Sequence, residues 1–161
     1  MAKRAVAVLF GLTIFPIAAQ AGDLKSQILG VYSLAAVYDQ LADGTKHDTW
    51  GSGVQGNLIF TPSGHFSVTI AAANRASAPT QTPRDPIGPV ISYYGTYTVD
   101  EADKTITYHI QQSTFPRWND FERKTTVEKI SDTELDTLAP VKGDPKLGDF
   151  IAHLQWKREA Q

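Results

Sequence analysis

From Gly22 onward, apolar and polar residues alternate with a period of two, in short runs rich in Val, Ile, Thr, Tyr and Phe separated by clusters of Gly, Pro, Asn, Asp and Ser. Successive side chains of a strand point to opposite faces, so each run has one face for a core and one for solvent. The pattern predicts eight strands, over 29–39, 55–61, 65–71, 91–99, 105–111, 121–130, 134–139 and 150–157, with a helical turn at 23–28 leading in. Elsewhere in this region no 3.6-residue apolar stripe is long enough for a helix.

The connections turn this list of strands into an architecture. Three are tight: Thr61-Pro62-Ser63-Gly64, the run 100–104, and Ser131-Asp132-Thr133, all of turn-forming residue types. Four are long, over 40–54, 72–90, 112–120 and 140–149, and long and tight alternate strictly along the chain. With consecutive strands antiparallel, every long loop falls at one end and every tight turn at the other. The fold expected is an all-β, eight-stranded antiparallel up-and-down barrel with an elaborated mouth and a plain floor. Closure removes the exposed edges of an open sheet, and a barrel of this size has room inside for one small ligand.

Candidate chemistry gathers near the mouth. Arg123 shares a strand face with Phe121, Thr125 and Val127, while Glu122, Lys124, Thr126 and Glu128 take the solvated face. An inward guanidinium needs a partner, because an unpaired buried charge is costly. That partner is either an oxyanion on a ligand or a group of the protein folding over the rim. Tyr93 and Tyr97 share a face around Gly95, which permits a bend or a close approach; they are pocket-wall candidates or plain core. His109 alternates outward against Ile106, Tyr108 and Ile110, but turns inward if the interior is partly polar, where it would serve proton transfer. Trp50 and Trp118 sit on predicted mouth loops, Trp118 beside Phe115 and Pro116. Pro79, Pro83, Pro86 and Pro89 stiffen the longest loop, whose length fits a lid. The bland alternative is that these aromatics and prolines only cap the core.

Composition narrows the classes. Lys3 and Arg4, the apolar run 5–18 and Ala19-Gln20-Ala21 form the pattern of a signal peptide over 1–21, leaving a single domain over 22–161 for the periplasm or beyond. There are no cysteines, so packing and strand pairing alone must hold the fold. Without Lys3 and Arg4, 13 basic residues stand against 17 acidic ones with no basic patch, which speaks against nucleic acid as a partner. His47, His65, His109 and His153 lack metal-ligand spacing, so neither a metal nor another cofactor is expected. No G-x-S-x-G elbow, glycine-rich phosphate loop or obvious carboxylate pair is present.

Several segments resemble the bacterial and fungal lipocalin-like domain family: LGVYSLAAV (29–37), GNLIFTPSGHFSV (56–68), YYGTYTVDEADKTITYHI (93–110), STFPRWNDFERKT (113–125) and LQWKRE (154–159). The resemblance implies a small single-domain β-barrel; related barrel families include carriers as well as isomerases and cyclases of secondary metabolites. The wider lipocalin pattern opens with G-x-W, its tryptophan packed under an arginine. Here Gly30 is kept and Tyr32 replaces the tryptophan, which implies that Arg158 closes the floor over Tyr32 and leaves Arg123 as the ligand candidate. The expected function is binding of a small hydrophobic or amphipathic molecule inside the barrel, through Arg123, Tyr93, Tyr97, His109, Trp118 and Trp50. The alternative is a metal-independent isomerase or cyclase acting on a small hydrophobic metabolite, with Tyr and His as proton donors.

Overall fold

A computed structural model describes residues 23–75 and 88–160. The expected signal segment, and Pro79, Pro83 and Pro86 of the longest loop, lie outside the described residues. Helix α1 (Leu24–Gln27) precedes β1 (Gly30–Leu41), β2 (Lys46–His47), β3 (Gln55–Phe60), β4 (His65–Ala71), β5 (Val90–Asp100), β6 (Thr105–Ser113), β7 (Phe121–Ile130), β8 (Glu134–Asp144) and β9 (Gly148–Arg158). Each strand pairs antiparallel with its neighbour, and β1 pairs with both β3 and β9, closing the barrel. The two-residue β2 only extends the mouth end of β1, so the wall has the eight strands expected.

One connection differs from expectation. Residues 140–149 are not a loop: β8 and β9 run on as a hairpin, with Pro140 opposite Ile151 and Val141 opposite Phe150. Pairing between β7 and β8 stops at Thr126 opposite Leu138, so beyond Leu138 one side of β8 has no strand partner among the described residues. A proline, which has no N–H to donate, is tolerated on such a side.

The wall bends at bulges, one of them between Tyr94 and Gly95. A Cβ on Gly95 would stand 2.0 Å from the His109 carbonyl oxygen, so the close approach of β5 and β6 requires glycine, as its position between Tyr93 and Tyr97 implies. A second bulge, between Leu34 and Ala36, reverses which residues of β1 face inward.

The floor half is solid. Phe60 packs edge-on to Tyr97 at 4.9 Å between ring centres, Phe66 against Tyr108 at 4.7 Å, and Tyr32 against Phe60 at 6.5 Å. Leu24 of α1 and Ile28, which follows its last turn, are buried beneath them. Asp23 caps this short helix by accepting from Ser26 N at 2.7 Å, and Glu101 accepts from Leu24 N at 2.8 Å, tying the helix to the β5–β6 turn. Arg158 lies 4.7 Å above the Tyr32 ring and donates to the carbonyls of Leu29 and Gln27, while the Tyr32 hydroxyl donates to Ile28 O at 2.9 Å. Tyrosine therefore takes the place of the tryptophan as the aromatic seat for the closing arginine. Burial pushes the Tyr32 phenol up to about 12, and the Arg158 charge only partly offsets it.

Candidate functional site

Above the aromatic floor, the barrel opens into a cavity of about 240 Å³ at the mouth. It falls below the roughly 300 Å³ at which ordinary ligand pockets begin, so it has room for a small molecule only. Apolar walls come from Val37, Ile70, Ile91 and Leu154, with Phe150 and Val141 at the rim. Beneath it, a second hole of about 20 Å³ is bounded by Tyr93, Tyr108, Arg123, Thr125 and Thr137. Arg123 thus stands at the step between the open and filled halves of the barrel.

The loop 114–120 explains how this arginine is held. The chain leaves β6, and Ser113 N donates to Asn119 Oδ1 at 2.8 Å, closing a short loop. Within it, Pro116–Trp118 form a single 3-10 turn, whose missing proline N–H costs nothing at that position. The chain re-enters β7 through Asp120 at φ 55, a left-handed conformation that Asp adopts more readily than most residues. The turn sets the Trp118 ring edge-on to Tyr93 at 5.4 Å and beneath the Arg123 guanidinium at 4.8 Å. Phe115 packs edge-on to Trp118 at 5.9 Å. Among the described residues no carboxylate pairs with Arg123; its contact is the indole face.

Trp50 enters from the loop 42–54, where Asp48 accepts from Trp50 N at 3.2 Å and Gly51 N at 2.8 Å. Burial raises the Tyr93 phenol above its ordinary value, and the Arg123 charge works against that rise. Tyr93 is therefore a neutral hydroxyl near neutral pH. Of the six candidates, Arg123, Tyr93, Trp118 and Trp50 meet in this cavity.

The other two lie outside it. Tyr97 points into the floor, its hydroxyl donating to Thr61 O at 3.0 Å in the β3–β4 turn, and it forms no part of the cavity wall. His109 lies on the outer face, its Nδ1 2.8 Å from Glu122 Oε1 and its Nε2 3.4 Å from Thr98 Oγ1. The simple alternation of Ile106, Tyr108 and Ile110 inward holds on β6, and it carries His109 out.

Two charged residues of the cavity lie outside the expected set. Asp39 is buried at 5 % exposure and accepts from the Thr49 hydroxyl; Asp144 lies on the β8–β9 hairpin. Backbone N–H groups of Leu147 and Lys146 hold the Asp144 carboxyl below its ordinary value. Asp39 shares parity with Val37, but the bulge at Leu34/Ala36 hides that parity from anyone counting from Tyr32. The described residues contain no group of His, Asp and Glu suited to a metal.

No curated protein matches the chain. Among solved structures it is similar to a redesigned β-barrel, at 17% identity and TM-score 0.43, covering 84% of this chain and 95% of that one. It is also similar to EF1p2_mFAP2b bound to DFHBI, at 18% identity and TM-score 0.43, covering 83% and 95%. The family model of the lipocalin-like domain matches residues 29–159, from the start of β1 through the closing arginine, and the chain belongs to that family.

Proposed function

We propose that the protein is an exported, periplasmic or secreted, binding protein that holds one small amphipathic molecule in the mouth cavity. The observation that carries this reading is Arg123: a guanidinium at the inner end of an apolar cavity, seated on Trp118 and without a carboxylate partner among the described residues. Such a group favours an oxyanion on a bound molecule, with charge-assisted and bidentate hydrogen bonds as the source of affinity. The apolar walls and the rings of Trp50 and Trp118 provide the contact for the molecule's body. Export is supported by the basic, apolar and small-residue sequence of residues 1–21.

The isomerase or cyclase reading drew on His109 and a tyrosine as proton donors. With His109 on the outer face, Tyr93 is the remaining tyrosine or histidine candidate that lines the cavity. The test of binding is a metabolite library screened by tryptophan emission and melting temperature, together with native mass spectrometry of protein purified from its own host. A retained small molecule, or a hit that shifts both readouts and loses its effect in Arg123→Gln, is expected. A library and host extract that leave both readouts unchanged would refute it.

A further inference from the structure

Three charged side chains line the cavity, Arg123, Asp39 and Asp144. Asp144, on the rim hairpin, already accepts from the backbone N–H groups of Lys146 and Leu147, which leaves Arg123 and Asp39 as the opposite charges that do not pair with each other. Arg123 rests on Trp118 at the β7 wall. Asp39, on β1, is more deeply buried, and among the described residues it forms no ion pair with Lys, Arg or His. Its hydrogen-bond partner there is Thr49 Oγ1, which lies 3.2 Å from His47 Nδ1. With its single proton given to Asp39, the threonine hydroxyl accepts from the histidine ring. Asp39 is thereby anchored from the loop side, and Arg123 from the indole side.

A buried carboxylate whose partner among the described residues is one hydroxyl carries a desolvation cost, and a half-buried guanidinium stacked on a ring without an anion carries a smaller one. The two do not cancel by contact, because each is fixed to a different wall. A molecule with one charge offsets one of these costs and worsens the other: a simple carboxylate on Arg123 brings a third anion into the cavity that Asp39 and Asp144 already line. A molecule carrying both charges relieves both.

Resting on the reading of this cavity as a ligand site, we infer that its ligand class is a small zwitterion, with an acidic group on Arg123, a protonated amine on Asp39 and an apolar, ring-sized body between them. Size agrees. A cavity of about 150 Å³ accepts a benzene ring, so 240 Å³ holds one ring with two short polar arms. Long acyl chains and fused polycyclic bodies exceed it.

The test compares four probes sharing one ring: phenylalanine, 3-phenylpropionate, phenethylamine and neutral 3-phenylpropanol, titrated calorimetrically into the wild-type chain, Asp39→Asn and Arg123→Gln. Phenylalanine is expected to bind at least about tenfold tighter than either singly charged probe, the lower end for one charge-assisted hydrogen bond. Asp39→Asn keeps the side chain's size and an acceptor for Thr49. It should erase the advantage over 3-phenylpropionate, and Arg123→Gln the advantage over phenethylamine. The probe order in the wild-type chain decides the matter even where a variant fails to fold. Equal or tighter binding of 3-phenylpropionate, or an Asp39→Asn variant that keeps the wild-type order, overturns the inference. If the probes bind without a zwitterion advantage, the binding reading stands and the ligand class falls. If none binds, the ligand class falls, and the library screen then decides the binding reading separately.

Discussion

Replacing Arg158 with methionine removes the barrel's closing contact while keeping most of the apolar stem. Two hydrogen bonds to backbone carbonyls, from Arg158 to Leu29 and Gln27, disappear, as does the guanidinium over Tyr32. Hydrogen bonds to charged groups contribute about 1.5–3 kcal/mol each. Because Arg158 is only half-buried, the lower end applies, and the stacked cation adds about 0.5–1 kcal/mol. Against this, Arg158 Nε is buried with no partner among the described residues, and losing it returns about 1 kcal/mol. The net cost is about 2–4 kcal/mol. The lipocalin-like domain over residues 29–159 has an unfolding entropy of about 0.3 kcal/mol/K, so the melting temperature should fall by about 7–13 °C. Calorimetry at neutral pH, with Arg117→Met as an exposed control and Arg158→Lys as a charge-preserving variant, measures it. Lysine keeps the charge but not the planar fork, so it should recover less than half of the loss. A drop below about 3 °C for Arg158→Met would refute the assignment of floor closure to this residue.

Three further outcomes follow from the geometry. Gly95→Ala brings a methyl to 2.0 Å from the His109 carbonyl oxygen and should destabilise the barrel by about 3 kcal/mol or more, read from urea midpoints; a change under about 1 kcal/mol would show that the β5–β6 bulge relaxes freely. Burial raises the phenols of Tyr32, Tyr93, Tyr97 and Tyr108 in the folded chain, whereas unfolded tyrosines ionise near 10. Stability is therefore fully present below about pH 10 and is lost as pH rises through the folded values. Ultraviolet difference titration should show these four ionising together with loss of near-ultraviolet circular dichroism. At the acid end the sign reverses. Hydrogen bonds lower the carboxyls of Asp23, Asp43, Asp100, Asp144 and Asp149, first from the Lys142 ammonium in the case of Asp149. Their contribution is present above about pH 4 and is lost as pH falls through the lowered values, so the urea midpoint should decline below pH 4. A flat profile there would contradict it.

The barrel was legible because period-two alternation and turn chemistry are local. Thr61-Pro62-Ser63-Gly64 announces a turn wherever it stands, and strand order in an up-and-down barrel follows from turn lengths alone. The hairpin at 140–149 was misread because Pro140, Gly143 and Pro145 signal a loop, and only the end of β7 pairing at Thr126 makes room for a proline inside β8. Arg123 was visible as a charge in phase with an apolar face. Asp39 was not, since a bulge adds one residue and turns the phase over, and nothing local in Leu34-Ala35-Ala36 marks it. Tyr93 and Tyr97 share a face yet serve opposite ends. Sequence spacing gives the side of a wall, but the depth at which a filled core stops depends on how Phe60, Phe66 and Tyr108 stack across the barrel.

The packed lower half works as a keel. Cohesion of the molecule is concentrated in interlocked rings and a bolted base; of the vestibule's side chains Ile70 and Tyr93 belong to that core, whereas the half-buried Trp50, Ile91 and Leu154 only rest against it and can be exchanged at a lower penalty to folding. Selection, natural or in the laboratory, is then free to reshape that upper opening without first securing the vessel.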